Sequence, residues 1–337
     1  MLQKKFSIGN FTVSPGGEPY IIAEIGSNHD QSLDKAFKLI EMAGKAGAQA
    51  VKFQLFKAEK MYPATTKMYD IFKSIELNAD WLPILVERCR NIGVEFMASP
   101  FDKESASLLN DIHVSAFKIA SSEIVNLGLL TLIASFKKPL IISTGMCDLV
   151  DVHDAVECCL RAGNKKVVLL QCGAMYPIPA AHVNLKVMDT FFSLFGCPVG
   201  LSDHTSGLTA AIAAVGRGAC VIEKHVTMDK KSNGPDHFFA MEPDEFKVFI
   251  KMINEAYECL GSRQKKMLPE ERIQGRREGL FTARDINEGE VLRESDLIIK
   301  RPAAGIRRRH LQSVVGATLK KMLQKGDALE WGELILK

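Results

Sequence analysis

The sequence predicts a (β/α)8 TIM barrel followed by a small β-rich domain, and three observations predict it. Eight short apolar runs recur between residues 20 and 226, the stretches between them carry helical periodicity, and beyond residue 276 short strand-like pieces alternate with turn signals. Parallel strands joined by helices require right-handed crossovers, and eight such units close into a barrel of roughly 250 residues. The 337 residues leave room for an appendage. The competing α/β arrangement is an open doubly wound sheet, but no G-x-G-x-x-G follows the first run.

In chain order, FSIGNFTVSPGGEPY reads as a hairpin able to cap the barrel bottom. The eight runs are YIIAEIG (20–26), AVKFQL (50–55), VEFMASP (94–100), AFKIASS (116–122), PLIISTG (139–145), KVVLLQC (166–172), PVGLSDH (198–204) and CVIEKHV (220–226). Between them, segments such as 32–47 and 78–93 are apolar at i, i+3, i+4 and i+7; Ser32 and Asn78 open them, and Gly47 and Gly93 close them. A last helix over 243–261 ends at Gly261. The expected organisation is therefore a barrel over 1–262, a polar, charged linker over 263–276 and a β-rich module over 277–337, its strands GLFTA, EVL, LIIKR and GATL divided by NEG and KGDA.

Composition narrows the function classes. No apolar run approaches the roughly 20 residues of a membrane span. The opening MLQKKFSIGNF lacks the apolar stretch of a secretion signal, so the expected location is the cytoplasm. Eight cysteines lie scattered without a C-x-x-C pair, which excludes a zinc ribbon and predicts reduced, mostly buried thiols. Charge is uneven: residues 263–337 hold 17 Lys and Arg against 11 Asp and Glu. Even with Arg307, Arg308 and Arg309 in a row, this tail lacks the interleaved aromatics of a nucleic-acid surface.

In a (β/α)8 barrel the reactive groups stand at the C-terminal strand ends. There the runs offer Glu24, followed by Asn28 and His29, then Lys52 and Gln54, Ser99, and Lys118, Ser121 and Glu123. The later runs offer Ser143 and Thr144, Tyr176 after a short loop, Ser202, Asp203 and His204, and Glu223, Lys224 and His225. Such groups at the ends of apolar strands are costly unless paired or liganded. His204 and His225 end neighbouring strands about 4.8 Å apart, so both imidazoles can reach one ion. Two imidazoles with oxygen ligands suit Mn2+, Mg2+ or Co2+ better than a closed zinc site. His113, His153 and His182 fall in loops or helices and read as structural. Lys52 and Lys118, among Ser99, Ser121, Ser143 and Ser202, make a receptor for phosphate and carboxylate. They can instead pair with Glu24, Glu123 and Glu223 as a structural network, or one can form a Schiff base as in lysine-dependent aldolases, which act without a metal.

The ordered set EIGSNH (24–29), KFQ (52–54), ASPFD (98–102), KIASSE (118–123), STGM (143–146), YP (176–177), LSDH (201–204), EKH (223–225) and GPDH (234–237) resembles the sialic acid synthase family. The tail, with DINEGEV, DLIIKRPAAGI and Gly316, is similar to that family's antifreeze-like (SAF) module. The resemblance implies condensation of phosphoenolpyruvate (PEP) with an open-chain N-acyl mannosamine-type sugar to a nine-carbon 2-keto acid, with phosphate released. It implies a divalent metal on His204 and His225, and PEP held by Lys52, Ser99, Lys118, Ser121, Ser143 and Ser202. Glu24 would sit near the metal-bound or attacking water, and Glu223 would join the acid and base groups. Gln54, Glu123, Tyr176 and Asp236 would meet the sugar hydroxyls, while Arg301 would cross a homodimer interface to the N-acyl group.

Two departures accompany this pattern. The segment after the second strand is shorter than in several relatives, and Gly173 and Ala174 replace a polar pair. The GPDH segment favours an N-acetylneuraminate or legionaminate synthase over a pseudaminate synthase, and the substrate stays open among them.

Overall fold

The structure is a computed structural model and describes residues 1–336. The chain divides into two units, Met1–Gly261 and Ser262–Lys337.

The first unit opens with the antiparallel hairpin β1 (Phe6–Ile8) and β2 (Phe11–Val13). Eight parallel strands follow: β3 (Tyr20–Gly26), β4 (Ala50–Leu55), β5 (Glu95–Pro100), β6 (Phe117–Ile119), β7 (Leu140–Ser143), β8 (Val167–Cys172), β9 (Val199–Asp203) and β10 (Val221–His225). Their hydrogen-bonded order is β5-β4-β3-β10-β9-β8-β7-β6. The two end strands, β5 and β6, contact each other and bring the sheet round into a TIM-type barrel. All eight predicted barrel strands are present; the fourth is the shortest, because after Ile119 the chain leaves the ladder for a 3-10 turn over Ser121–Glu123.

Strand parity organises this unit, because alternate residues face opposite sides of a sheet. One parity (Ile21, Ala23 and Ile25, Val51, Phe53 and Leu55, Phe117 and Ile119, Leu140 and Ile142, Val199 and Leu201) packs against the surrounding helices. The other parity fills the interior, where Tyr20, Ile22, Ala50, Met97, Ala116, Ile141, Val168, Leu170 and Val221 cluster with Phe6, Ile8 and Val13 of the hairpin. The hairpin thus caps the bottom of the barrel, as its sequence predicts. Two residues further up each strand, the interior set becomes Glu24, Lys52, Ser99, Lys118, Ser143, Cys172, Ser202 and Glu223, so polarity collects at the C-terminal mouth.

The helices begin and end as their caps dictate. Ser32 accepts from Lys35 N at the start of Leu33–Ala46, and Gly47 closes it in the left-handed conformation. Asn78 caps a short 3-10 turn, Ala79–Trp81, that runs into the helix Leu82–Ile92 before Gly93. Pro243–Leu260 ends the unit at Gly261.

The second unit contains a short helix, Pro269–Ile273, and two small antiparallel pairs, β11 (Gly279–Thr282) with β12 (Leu297–Lys300) and β13 (Thr318–Leu319) with β14 (Leu334–Ile335). Leu280, Ile286, Leu292, Ile306, Val314, Leu319 and Leu329 form its own core. The predicted strand EVL is reduced to a single bridge between Val291 and Thr318. Sequence reading missed β14, whose two residues carry no period.

Candidate active site

The mouth at the strand ends is a cavity of about 800 Å3. Its lining brings together Lys52, Gln54, Ser99, Lys118, Ser121, Glu123, Ser143, Tyr176, Ser202, His204, Glu223, His225 and Asp236, all singled out from sequence. Glu24 lies directly behind, bonded to two of them: Lys52 Nζ is 3.0 Å from Glu24 Oε2, and Gln54 Nε2 donates to Glu24 Oε1 at 3.0 Å.

The floor is an alternating charge network. Glu223 stands between both lysines, with Lys118 Nζ at 3.2 Å and Lys52 Nζ at 3.6 Å, and also accepts from Ser202 Oγ at 3.0 Å. Lys52 donates to Ser99 Oγ at 3.3 Å. Burial is the largest influence on all four ionisable groups here, yet the outcome differs. At Glu24 burial outweighs the pull of Lys52 and raises the carboxyl; at Glu223 the ammoniums of Lys118 and Lys52 outweigh burial and hold it low. Lys52 is raised because Glu223 and Glu24 overcome its desolvation, whereas Lys118, with less compensation, is lowered by burial. Burial and the two ammoniums thus shift the two carboxyls in opposite directions.

The two imidazoles face each other, ring centroids 5.4 Å apart, and Tyr176 packs on His204 at 4.2 Å. His204 Nδ1 lies 2.8 Å from the Gly173 carbonyl, which can only accept. That bond places a ring proton on Nδ1; Nε2, 3.5 Å from Ser202 Oγ, is the nitrogen left to bind a metal. His225 Nδ1 is buried with no hydrogen-bond partner among the described residues. The donor set thus fits an ion held by two imidazoles and completed by water or substrate oxygen. Among the described residues, no group of three His, Cys, Asp or Glu side chains could hold one alone.

Parity also sorts the residues that sequence placed at strand ends without separating them. Asp203 and Lys224 have the outward parity and pair with each other, Nζ to Oδ2 2.9 Å, both buried away from the mouth. His29 is buried beside Phe53 and Trp81, and its Nδ1 accepts from Gln31 N, so it supports the first loop. Ser143 Oγ is buried in the mouth with no partner among the described residues. Glu123 sits at the rim and accepts from Asn126 Nδ2 at 3.3 Å, apart from the lysine network. Arg301 lies in the second unit, exposed and 3.7 Å from Glu278.

The segment after the second strand, residues 56–76, forms one wall of the mouth. However short, it lines the mouth with Lys60, Met61, Tyr62, Met68, Ile71, Phe72 and Ile75. It is anchored by buried Glu76, which accepts from Ala58 N at 2.7 Å and pairs with Lys73 at 3.1 Å. Cys172 was missed as a mouth residue, although its even spacing from Val168 and Leu170 puts it on the interior face.

A second concavity, about 1000 Å3, lies between residues 177–187 and 205–217. It is mainly apolar, with Lys186 and Arg217 as its charged lining, and gathers no convergent set of reactive groups.

Fold and site together define a barrel enzyme with its chemistry at the C-terminal strand ends. The chain belongs to the NeuB family, which matches residues 39–265, and residues 277–335 match the SAF domain. It is 40% identical over 333 residues to the N,N'-diacetyllegionaminic acid synthase of Legionella pneumophila, covering 93% of each chain. Over 342 residues it is 33% identical to the pseudaminic acid synthase of Campylobacter jejuni, covering 97% of this chain and 99% of that one. The crystal structure of an N-acetylneuraminic acid synthetase from Leptospira borgpetersenii in complex with citrate matches with a TM-score of 0.76 at 29% identity, covering 81% of this chain and 95% of that chain. These relatives are synthases of sialic-acid-like sugars, so the resemblance read in the sequence is a family relationship and the chain is an enzyme.

Proposed function

We propose that the enzyme condenses PEP with an N-acyl mannosamine-type sugar, either N-acetylmannosamine or its 2,4-diacetamido-2,4,6-trideoxy analogue, to a nine-carbon 2-keto acid. The observation that carries this reading is the convergence of Lys52 and Lys118 on one floor with Ser99, Ser121, Ser143 and Ser202, beside two facing imidazoles. Phosphate and carboxylate oxygens of PEP take charge-assisted hydrogen bonds from that floor. His204 and His225 would hold a divalent ion, Mn2+ before Mg2+ or Co2+, which when bound polarises the sugar aldehyde.

C3 of PEP then bonds to the aldehyde carbon, the carbonyl oxygen takes a proton, and the electron deficit falls on C2. Water adds at C2 and loses a proton, and phosphate leaves by cleavage of the C2–O bond. PEP, sugar and water give the 2-keto acid and phosphate. Glu24, whose carboxyl burial raises, would exchange protons with the acceptor oxygen or the entering water from behind Lys52 and Gln54. Gln54, Glu123, Tyr176 and Asp236 line the same cavity and orient the sugar hydroxyls. Arg301 meets the N-acyl group from the partner in a homodimer, as the family resemblance implies.

The test is to offer N-acetylmannosamine, the 2,4-diacetamido-2,4,6-trideoxy mannose and its altrose analogue, each with PEP and Mn2+, and to measure phosphate release and product mass. A mannose-configured acceptor should support turnover. Preference for the altrose analogue would make the enzyme a pseudaminate synthase instead.

One observation favours a second reading: burial lowers the Lys118 ammonium, as a Schiff-base lysine requires. Its ion pair with Glu223 at 3.2 Å opposes that reading. Borohydride trapping with substrate separates the two.

A further inference from the structure

We propose that His237 is a positioning residue that sets Asp236 against the acceptor sugar by tying together the loops after β3 and β10. The inference deepens the reading above, in which Asp236 meets the sugar.

The loop between β10 and the helix at Pro243 has a fixed base. Val226 bridges Met241, Thr227 N donates to Met241 O at 2.9 Å, and Met241 N donates to His225 O at 2.9 Å. Above that base the backbone passes through Gly234 and Pro235, and Asp236 enters the mouth. The base alone leaves more than ten residues between its two ends, too many to hold one carboxylate in one place. Asp236 is held from the loop of the neighbouring strand: Ser27 Oγ donates to its Oδ2 at 3.2 Å, and Asn28 Nδ2 donates to its carbonyl at 3.3 Å. Both donors belong to the loop after β3.

His237 closes the connection. Its ring is buried and both nitrogens are engaged, Nε2 with Asp30 Oδ1 at 2.9 Å and Nδ1 with Thr227 Oγ1 at 2.7 Å. A carboxylate only accepts, so Nε2 donates to Asp30; Nδ1 meets Thr227 Oγ1, whose hydroxyl also lies 3.2 Å from the Asp229 carbonyl. Asp30 is fixed in turn by Lys35 Nζ at 2.7 Å. The ring therefore spans from the base of its own loop, at Thr227, to the neighbouring loop after β3, at Asp30. Close packing enforces the arrangement: a Cβ at Gly234, whose φ is +152°, would lie 2.7 Å from His237 Cδ2. Thr227 has no exposed surface, so this Asp-His-Thr series presents no nucleophile to substrate and is a brace.

The proposal predicts that His237→Ala raises the KM for the sugar about tenfold, while the KM for PEP stays within about twofold, the size expected for one hydrogen bond to a charged group. His237→Gln, whose amide can still donate to Asp30, restores most of the loss. The double variant His237→Ala with Asp236→Ala is no worse than Asp236→Ala alone, because the histidine acts through the aspartate. Asp30→Ala, at a partly exposed position, repeats the His237→Ala phenotype should that variant fold poorly. Amide hydrogen exchange in the substrate-free protein gives a readout independent of substrate: His237→Ala should speed exchange over residues 227–241 and 27–31 and leave the barrel strands unchanged. Unchanged exchange there, equal losses for sugar and PEP, or additive effects in the double variant would each overturn the proposal. An inactive wild type whose exchange responds as predicted would instead count against the proposed reaction alone.

Discussion

Lys118 Nζ stands 3.2 Å from Glu223 Oε1, and both side chains are buried at the floor of the mouth. An anion entering here meets an ammonium whose charge is compensated from one side only, which leaves its remaining protons for phosphate or carboxylate oxygens. Lys118→Ala should weaken PEP by about 10- to 150-fold, the range for roughly 1.5–3 kcal/mol of charge-assisted bonding. The sugar KM should move much less. Steady-state kinetics with each substrate varied in turn checks this, and equal losses for both would assign Lys118 a structural role.

His204→Ala and His225→Ala should each abolish turnover with the fold kept, because each removes one of two facing imidazoles. Elemental analysis after dialysis against Mn2+ should find less metal in both variants. Activity retained by either one would remove that residue from the metal site.

Gly26 sits where three mouth residues meet. A Cβ there would lie 2.8 Å from Asp236 Oδ2, 3.2 Å from Glu24 Oε1 and 3.4 Å from Gln54 Nε2, and its φ of +55° suits glycine. Gly26→Ala should therefore raise the sugar KM tenfold or more and lower stability by about 1–2 kcal/mol for the left-handed backbone. Kinetics paired with thermal melting separates the two effects.

Much of this site was legible because strand parity is legible. Lys52 and Gln54, Ser202 and His204, and Glu223 and His225 are each two residues apart, so each pair faces one side whatever the rest of the chain does. The same spacing consigns Asp203 and Lys224 to the opposite face, where they form a buried pair that sequence could not tell from mouth residues by type alone. Loops obey no such period. The wall of residues 60–75 and the brace of Asp30, His237 and Thr227 arise from contacts across long sequence separations, and nothing local in their sequences announces them. The two-residue strand β14 is hidden for the same reason, whereas the capped helices after Ser32 and before Gly93 were visible from their end residues.

The Asp203–Lys224 pair should be a stability element with no role in substrate affinity. Asp203→Ala strands a buried ammonium and should cost about 3–5 kcal/mol, whereas replacing both partners with apolar residues of similar volume should recover most of it. Denaturant titration of the single and double variants measures the difference.

Arg301 carries the quaternary part of the proposal. Co-expressed Arg301→Ala and His204→Ala chains, each nearly inactive alone, should regain about half the wild-type rate as a mixed dimer, since one site then pairs an intact barrel with the partner's intact tail. A verified mixed dimer without recovery would place Arg301 on its own barrel or outside the site.

The most direct measurement of the central claim is the fate of oxygen in the phosphate released when the reaction runs in 18O-enriched water. If the floor holds PEP so that C3 attacks the sugar and water enters at C2, phosphate departs with its bridging oxygen and contains no 18O, and its release requires the acceptor sugar. Phosphate carrying solvent 18O, or released from PEP without the sugar, would show attack at phosphorus and contradict the account.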